Sequence, residues 1–165
     1  MSIPDKLPEL AALFEKLGAR DPEGWARSQI TEGIPQLHRF LFLRQAWSYV
    51  LAEESAGWVG YHIEEAEKDP NAPFSGMGAA LKRAVSAGVT QDDLSQIARG
   101  VQAELLSQLC YMLEDNGLTE KELKGVGWGL FQTDEEGNAL GPIYSLHESV
   151  LDVDPTGREM RPKNA

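Results

Sequence analysis

The stretch QDDLSQIARGVQAELLSQLCYMLE, residues 91–114, decides the fold class. Its apolar residues recur every three or four positions from Leu94 to Leu113, which is the spacing of one face of an α-helix. Thr90 and Asp93 resemble a capping box in which Asp replaces the usual Glu. A helix over this stretch would be about 36 Å long at 1.5 Å per residue. The stretch therefore predicts the longest helix of a mainly α protein.

Upstream, glycine and proline divide the chain into shorter helices. Gly18 ends an apolar series that is typical of a short amphipathic helix, formed by Leu10, Leu13, Phe14 and Leu17. Asp21 and Pro22 predict the N-cap and first position of a second short helix that runs to about Glu32. From Gln36 the 3.6-residue period predicts a core helix with apolar positions at Leu37, Phe40, Leu41, Trp47, Val50 and Leu51.

The segment SAGWVGYHIEEAEKD, residues 55–69, leaves two alternatives open. Gly57 and Gly60 each disfavour a helix interior by about 1 kcal/mol relative to Ala. Either the core helix survives there by close packing, or it breaks. The run PNAPFSG predicts a loop, and MGAALKRAVSAG predicts a helix that Gly88 caps.

After Asn116-Gly117 the chain changes character. TEKELK predicts a brief helical turn, and WGLFQTDEEGNALGPIYSL predicts a β-hairpin whose loop is DEEGN. A lone hairpin is marginal in water, so it must pack on the helices or on another chain. We expect a mainly α, helical bundle-like single domain over residues 1–165, helical over 4–124, with the hairpin and a tail over 125–165.

Composition restricts partners and location. A net charge of -11 and a pI near 4.7 repel phosphate backbones, so no nucleic acid is expected. The N-terminus lacks a signal peptide pattern, and Arg44 interrupts the most apolar segment before it could span a membrane, so we expect a cytoplasmic protein with no membrane partner. The single cysteine, Cys110, is interpreted as an inert packed thiol in a helical core context.

The chain lacks the common catalytic signatures. It has no phosphate-binding glycine loop, CxxC pair, HExxH helix or GxSxG elbow, so we expect no catalytic residues and no cofactor. The alternative is a divalent metal site, in a metal-binding protein or metal-dependent enzyme. His62 and Glu65 would share a helix face at i, i+3, and His147 with Glu148 would complete the ligand set if the tail folded back.

Two further features suggest binding. Arg44 lies inside an apolar series, so it must extend to solvent, pair with a carboxylate or bind an anion. Trp58 and Tyr61 lie beside glycines and either pack in the core or line a groove. A pocket for a small anionic ligand near Arg44 and Trp58 is the weaker alternative function.

HESVLDVDPTGREMRP, residues 147–162, is the most chemically dense stretch. Asp154-Pro155 and Thr156-Gly157 predict a turn, the preceding SVLDV predicts a short strand or one helical turn, and REMRP is predicted to be extended. Arg158 and Arg161 would be drawn to carboxylates of this chain or of a partner. The tail is therefore a docked structural segment, a partner-binding segment or part of a site.

This ending, in the pattern HESVLxxDPTGREMRP, resembles the C-termini of small bacterial proteins; the resemblance implies no activity, cofactor or substrate. The first hypothesis for function is a non-enzymatic cytoplasmic interaction module that binds a protein partner or forms a homo-oligomer. It depends on the absent catalytic motifs, the four tryptophans and a hairpin that needs a neighbour.

Overall fold

A computed structural model describes residues 3–55 and 57–163. Over these residues the chain forms six α-helices and one antiparallel hairpin, namely α1 Leu7–Lys16, α2 Pro22–Glu32, α3 Gln36–Trp47, α4 Trp58–Lys68, α5 Ser75–Ser86, α6 Gln91–Met112, β1 Leu130–Thr133 and β2 Ala139–Ile143. Short 3₁₀ turns cover Lys121–Leu123, His147–Ser149 and Leu151–Val153. The mainly α class with a small C-terminal hairpin is confirmed.

The chain groups into two compact units. The first consists of Met1–Tyr49 with Glu104–Ala165, and the second is Val50–Ala103. Helix α6 begins in the second unit and ends in the first. The organisation of the whole chain as one domain stays a prediction.

Helix α2 begins and ends at the residues that the sequence indicated, and α1 ends just before Gly18. Gly18 follows α1 with φ 88°, and Gly33 follows α2 with φ 71°, both in the left-handed region that favours glycine. The Asp21 side chain accepts a hydrogen bond from the Gly24 amide at 2.9 Å and caps α2. These local interactions determine where α1 ends and where α2 begins and ends.

Aromatic side chains build the core of the first unit. Phe14 and Phe40 meet edge to face with ring centroids 5.7 Å apart, and Trp25 contacts both rings. Leu10 and Leu43 are fully buried in the same unit. Trp25 is therefore a packing residue.

The core helix breaks after Trp47. Helix α3 ends at Trp47, and α4 begins at Trp58. Gly57 stands at the N-cap of α4, whereas Gly60 lies within the helix. The alternative of one continuous helix is wrong.

Helices α4 and α5 pack against each other in the second unit. A Cβ on Gly78 would overlap the His62 carbonyl oxygen and would lie 2.6 Å from the Ala66 Cβ atom. Glycine at this position therefore allows the close approach of the two helices. The predicted loop ends at Phe74, and Gly88 follows α5 with φ 92°.

Helix α6 is the long helix that the sequence predicted, and it ends at Met112 rather than near Glu114. The Asp93 amide donates to Thr90 Oγ1 at 3.1 Å, and the Thr90 hydroxyl donates to the Asp93 carboxylate at 2.6 Å. The capping interaction is thus present, with the hydroxyl as the donor to the carboxylate. Among the described residues, no helix combines the length and the apolar character needed to cross a membrane.

The hairpin has the predicted DEEGN loop. Leu130 pairs with Ile143 and Phe131 with Pro142, and the register shifts after Gln132. The Asp134 carboxylate accepts hydrogen bonds from the loop, first from the Asn138 side chain, and these hydrogen bonds lower its pKa. Leu130 and Gln132 on one face of the hairpin are half-buried and Ile143 is buried, whereas Phe131 and Thr133 on the other face are exposed.

Candidate functional site

The C-terminal stretch packs against α3 within the first unit. Arg39 is 3% exposed and donates to Ser149 Oγ at 2.7 Å and to the Ser145 carbonyl. Trp47 Nε1 donates to the carbonyl of the buried Val150 at 2.7 Å. The stretch is therefore a docked structural segment, and SVLDV forms 3₁₀ turns rather than a strand.

Burial makes Arg39 an unusual cation. Desolvation lowers the pKa of its guanidinium, and the nearby carboxylates of Glu148 and Glu114 oppose that shift. Its Nε has no hydrogen-bond partner among the described residues. Sequence reasoning missed Arg39, although it lies between Leu37 and Leu43 in the same apolar series that drew attention to Arg44.

Arg20 holds the same segment from the turn before α2. Its guanidinium donates to the carbonyls of Gly157 at 2.6 Å, Asp152 at 2.7 Å and Leu151 at 3.3 Å. A guanidinium can satisfy several carbonyls at once because its donors are fixed in a plane. No local pattern in the sequence indicated this role, since the contacts join residues more than a hundred positions apart.

A turn centred on Asp154 closes the stretch. The buried Asp154 carboxylate accepts from the Thr156 hydroxyl at 2.6 Å and from the Met160 amide at 3.1 Å. Glu159 and Met160 have φ of 52° and 62°. The predicted turn at Asp154-Pro155 and Thr156-Gly157 is confirmed, but the extended conformation of REMRP is wrong, because Asp154 draws the Met160 amide back into the turn.

Arg158 and Arg161 contact their own segment. Arg158 Nε donates to the Arg161 carbonyl at 3.3 Å, and the Arg161 guanidinium lies 2.7 Å from a Glu159 oxygen. A partner-binding role for the two arginines stays a prediction. An exposed ion pair such as Arg161–Glu159 contributes little to the free energy of unfolding. The contacts of the two arginines stay within their own turn.

His147 lies beside an acid of the first unit. Its Nδ1 is 3.2 Å from Glu114 Oε1, and that oxygen also accepts the Leu146 amide at 2.7 Å. The Tyr111 ring meets the His147 ring edge to face at 5.2 Å. Glu148 is the exposed neighbour in the same 3₁₀ turn. The imidazole is thus oriented by a carboxylate that also anchors the backbone.

His62 and Glu65 lie on α4 of the second unit. The His62 ring meets those of Trp58 and Tyr61 edge to face, with centroids 6.2 Å and 5.2 Å away. Glu65 Oε1 is 2.7 Å from Lys68 Nζ. The pair occupies one side of α4, as the i, i+3 spacing predicted.

The predicted metal ligands are divided between the two units. His62 and Glu65 belong to the second unit, and His147 and Glu148 belong to the first. Over residues 3–55 and 57–163, no group of three or more His, Cys, Asp and Glu side chains is arranged to hold a metal ion. The divalent metal site stays a prediction.

Trp58 and Tyr61 have different environments. Trp58 is half-buried and donates from Nε1 to Ser95 Oγ at 2.8 Å, which favours the packing interpretation. Tyr61 is exposed and lines a cavity of about 410 Å³ with His62 and Phe74. Phe74 is 82% exposed and has φ 70°, a strained conformation for a bulky residue. The cavity lies entirely in the second unit.

Arg44 is exposed on the first unit, where it donates to the Leu17 carbonyl at the end of α1 at 3.1 Å. It lines a cavity of about 260 Å³ together with Arg20, Asp152 and Asp154. Two aspartates offset the two arginines, so the charge of the lining does not favour an anion. The anionic-ligand pocket stays a prediction, and Trp58 belongs to the other unit.

Helix α6 exposes apolar residues at the period that usually marks a buried face. Exposed apolar side chains along it include Ile97 and Val101 in the second unit, and Leu105, Leu109 and Met112 in the first. The residues of α6 that are buried are small or polar, namely Ser95, Arg99, Ala103 and Cys110. Cys110 is a packed thiol as predicted, but the apolar stripe beside it is not core.

Two exposed aromatic residues of the C-terminal region lie beside the end of α6 within the first unit. Trp128 Nε1 donates to the Met112 carbonyl at 2.9 Å, so the indole lies at the end of α6. A Cβ on Gly129 would contact both the Phe131 ring at 3.4 Å and the Leu113 carbonyl at 3.7 Å. We call the set of these exposed side chains the α6-hairpin surface, which consists of Leu105, Leu109, Met112, Trp128 and Phe131.

Comparison with protein-family models, with curated proteins and with solved structures finds no match.

Proposed function

We propose that the protein is a non-enzymatic protein-interaction module whose binding surface is the α6-hairpin surface. The observation that carries the proposal is the exposed apolar ridge of α6 in the first unit. Leu105, Leu109 and Met112 are 52%, 44% and 43% exposed, although they follow the helical period at i, i+4 and i+7.

Exposure of such a ridge is unfavourable unless something covers it. Full burial of one Leu or Met side chain stabilises by about 1.5–3 kcal/mol, so covering the exposed halves of these three gains roughly 2–4 kcal/mol. Single exposed apolar residues are normal, but a contiguous patch next to two aromatic rings is typical of a binding surface.

The aromatic residues strengthen the proposal. Trp128 and Phe131 are 47% and 49% exposed. Trp is enriched among the residues that dominate binding energy, because one rigid side chain covers a large area. The Trp128 indole is also held by its hydrogen bond to the Met112 carbonyl, so little conformational entropy is lost when a partner covers it.

Site-specific photo-crosslinking in cells tests the proposal. A photoreactive amino acid at position 109 is expected to give covalent protein adducts, which mass spectrometry would identify as a second copy or another chain. Ile30 is the matched control, because it is an apolar helical residue of the first unit with 41% exposure and lies outside the surface. Adducts of equal yield at positions 109 and 30 would contradict the proposal.

A further inference from the structure

We infer that the occupant of the α6-hairpin surface is a second copy of this chain, related to the first by a twofold axis. This inference rests on the proposed function, because it names the partner of the same surface. Three properties of the surface carry it: the spacing of its ridge, its area and its lack of charge.

The ridge of α6 is complementary to itself. Leu105, Leu109 and Met112 lie at i, i+4 and i+7, the alternating spacing of four and three residues by which the side chains of two helices interlock. In an antiparallel pair with the axis at Leu109, that residue meets Leu109 of the second copy, and Leu105 lies opposite Met112 and Leu113 of the second copy. A twofold contact uses the same patch on both copies and closes, so it needs no second surface.

The area matches a weak dimer. Five side chains that are each about half exposed offer about 100 Å² apiece, or roughly 500 Å² per copy and 1,000 Å² in total. That total is at the lower limit for a specific interface. We therefore expect a reversible dimer with a dissociation constant on the order of micromolar.

Charge predicts how the dimer responds to salt. Each copy carries a net charge of -11, whereas the five side chains of the surface are uncharged. Two like-charged copies repel each other, so screening by salt should tighten the dimer. A basic partner on the same surface would bind more weakly at high salt.

The test is sedimentation velocity of the full chain from about 1 to 200 µM, at about 50 and 500 mM NaCl. The wild type is expected to dimerise with concentration, and several-fold more tightly at the higher salt. Leu109→Glu and Leu109→Lys are each expected to be monomeric, while an equimolar mixture of the two should recover a heterodimer. Ile30→Glu is the matched control and should dimerise like the wild type. Circular dichroism checks that each variant keeps its helices.

The outcomes separate this inference from the proposed function. A wild type that stays monomeric at both salts overturns the second copy, as does a dimer that both Leu109 variants leave intact. A mixture of the two variants that stays monomeric overturns the twofold axis at Leu109. If the wild type is monomeric but position 109 still crosslinks specifically to another chain, the interaction surface stands and the second copy does not. Loss of both the dimer and the adducts removes both proposals.

Discussion

The contact between α4 and α5 gives a sharp prediction, because one methyl group should disturb it. Gly78 lies on α5 where the helix meets the backbone of α4. In Gly78→Ala the new Cβ would overlap the His62 carbonyl oxygen and would stand 2.6 Å from the Ala66 Cβ atom, which is closer than real Cβ contacts allow. Neither atom is the far end of a flexible side chain, so the two helices must move apart.

The magnitude is the difference between two effects. Overpacking of this kind costs typically about 1–3 kcal/mol, and replacing Gly with Ala inside a helix returns about 1 kcal/mol. The backbone overlap places the first effect at the upper end of its range. We therefore expect Gly78→Ala to lower the free energy of unfolding by about 1–2 kcal/mol, which corresponds to a fall in Tm of roughly 2–8 °C for a chain of this size.

The measurement is urea unfolding followed by circular dichroism, with the thermal midpoint as a second readout. Gly76→Ala is the matched control, since Gly76 lies in the same helix and a Cβ there has nothing within 4 Å. This control should be neutral or stabilised by up to about 1 kcal/mol. If Gly78→Ala is as stable as Gly76→Ala, the close approach of α4 and α5 is not as described.

Two further predictions concern buried groups of the first unit. Burial, followed by the charge of Glu114, raises the pKa of the Cys110 thiol from 9.0 to about 11. The thiol should therefore resist alkylation at pH 8 until urea unfolds the chain. The buried neutral thiol contributes fully to the free energy of unfolding below pH 9, and this contribution is lost as the pH rises toward 11. Cys110→Ala should abolish this fall in stability at high pH. Arg39→Met should destabilise the fold by roughly 1–3 kcal/mol in urea titrations, because the Ser149 hydroxyl and the Ser145 carbonyl lose their donor. A Met variant as stable as the wild type would show that removing the buried charge offsets the lost hydrogen bonds.

The sequence predicted helix ends well because their causes are local. The Asp21 cap, the left-handed glycines at positions 18 and 33, and the Thr90 cap each act within a few residues. The hairpin was predictable for the same reason, because its loop is stabilised by Asp134 and Asn138 within DEEGN. None of these features depends on how distant parts of the chain meet.

Long-range contacts decided the features that the sequence did not reveal. Arg20 and Arg39 hold the C-terminal stretch across more than a hundred residues. Nothing near Arg20 marks that role, and the apolar series around Arg39 indicates a buried cation but not its partner. The conformation of REMRP differed for a related reason. The carboxylate of Asp154 captures an amide six positions later, and residue preferences alone would place Glu159 and Met160 elsewhere.

The two most conspicuous patterns of the sequence have roles different from those that they indicated. The dense polar stretch at the C-terminus is largely structural, because its backbone carbonyls and the buried Ser149 hydroxyl accept hydrogen bonds from Arg20 and Arg39. The apolar stripe of α6, which resembles core, is exposed, because periodicity shows that one face of a helix is apolar but does not show what covers it. Helix α6 buries Ser95, Arg99 and Ala103 but leaves Leu105 and Leu109 in contact with water. Its apolar surface therefore faces the solvent and is not covered by the rest of the unit. The free energy that would normally stabilise the core from that face is available for binding, which is why we propose that face as the binding surface of this chain.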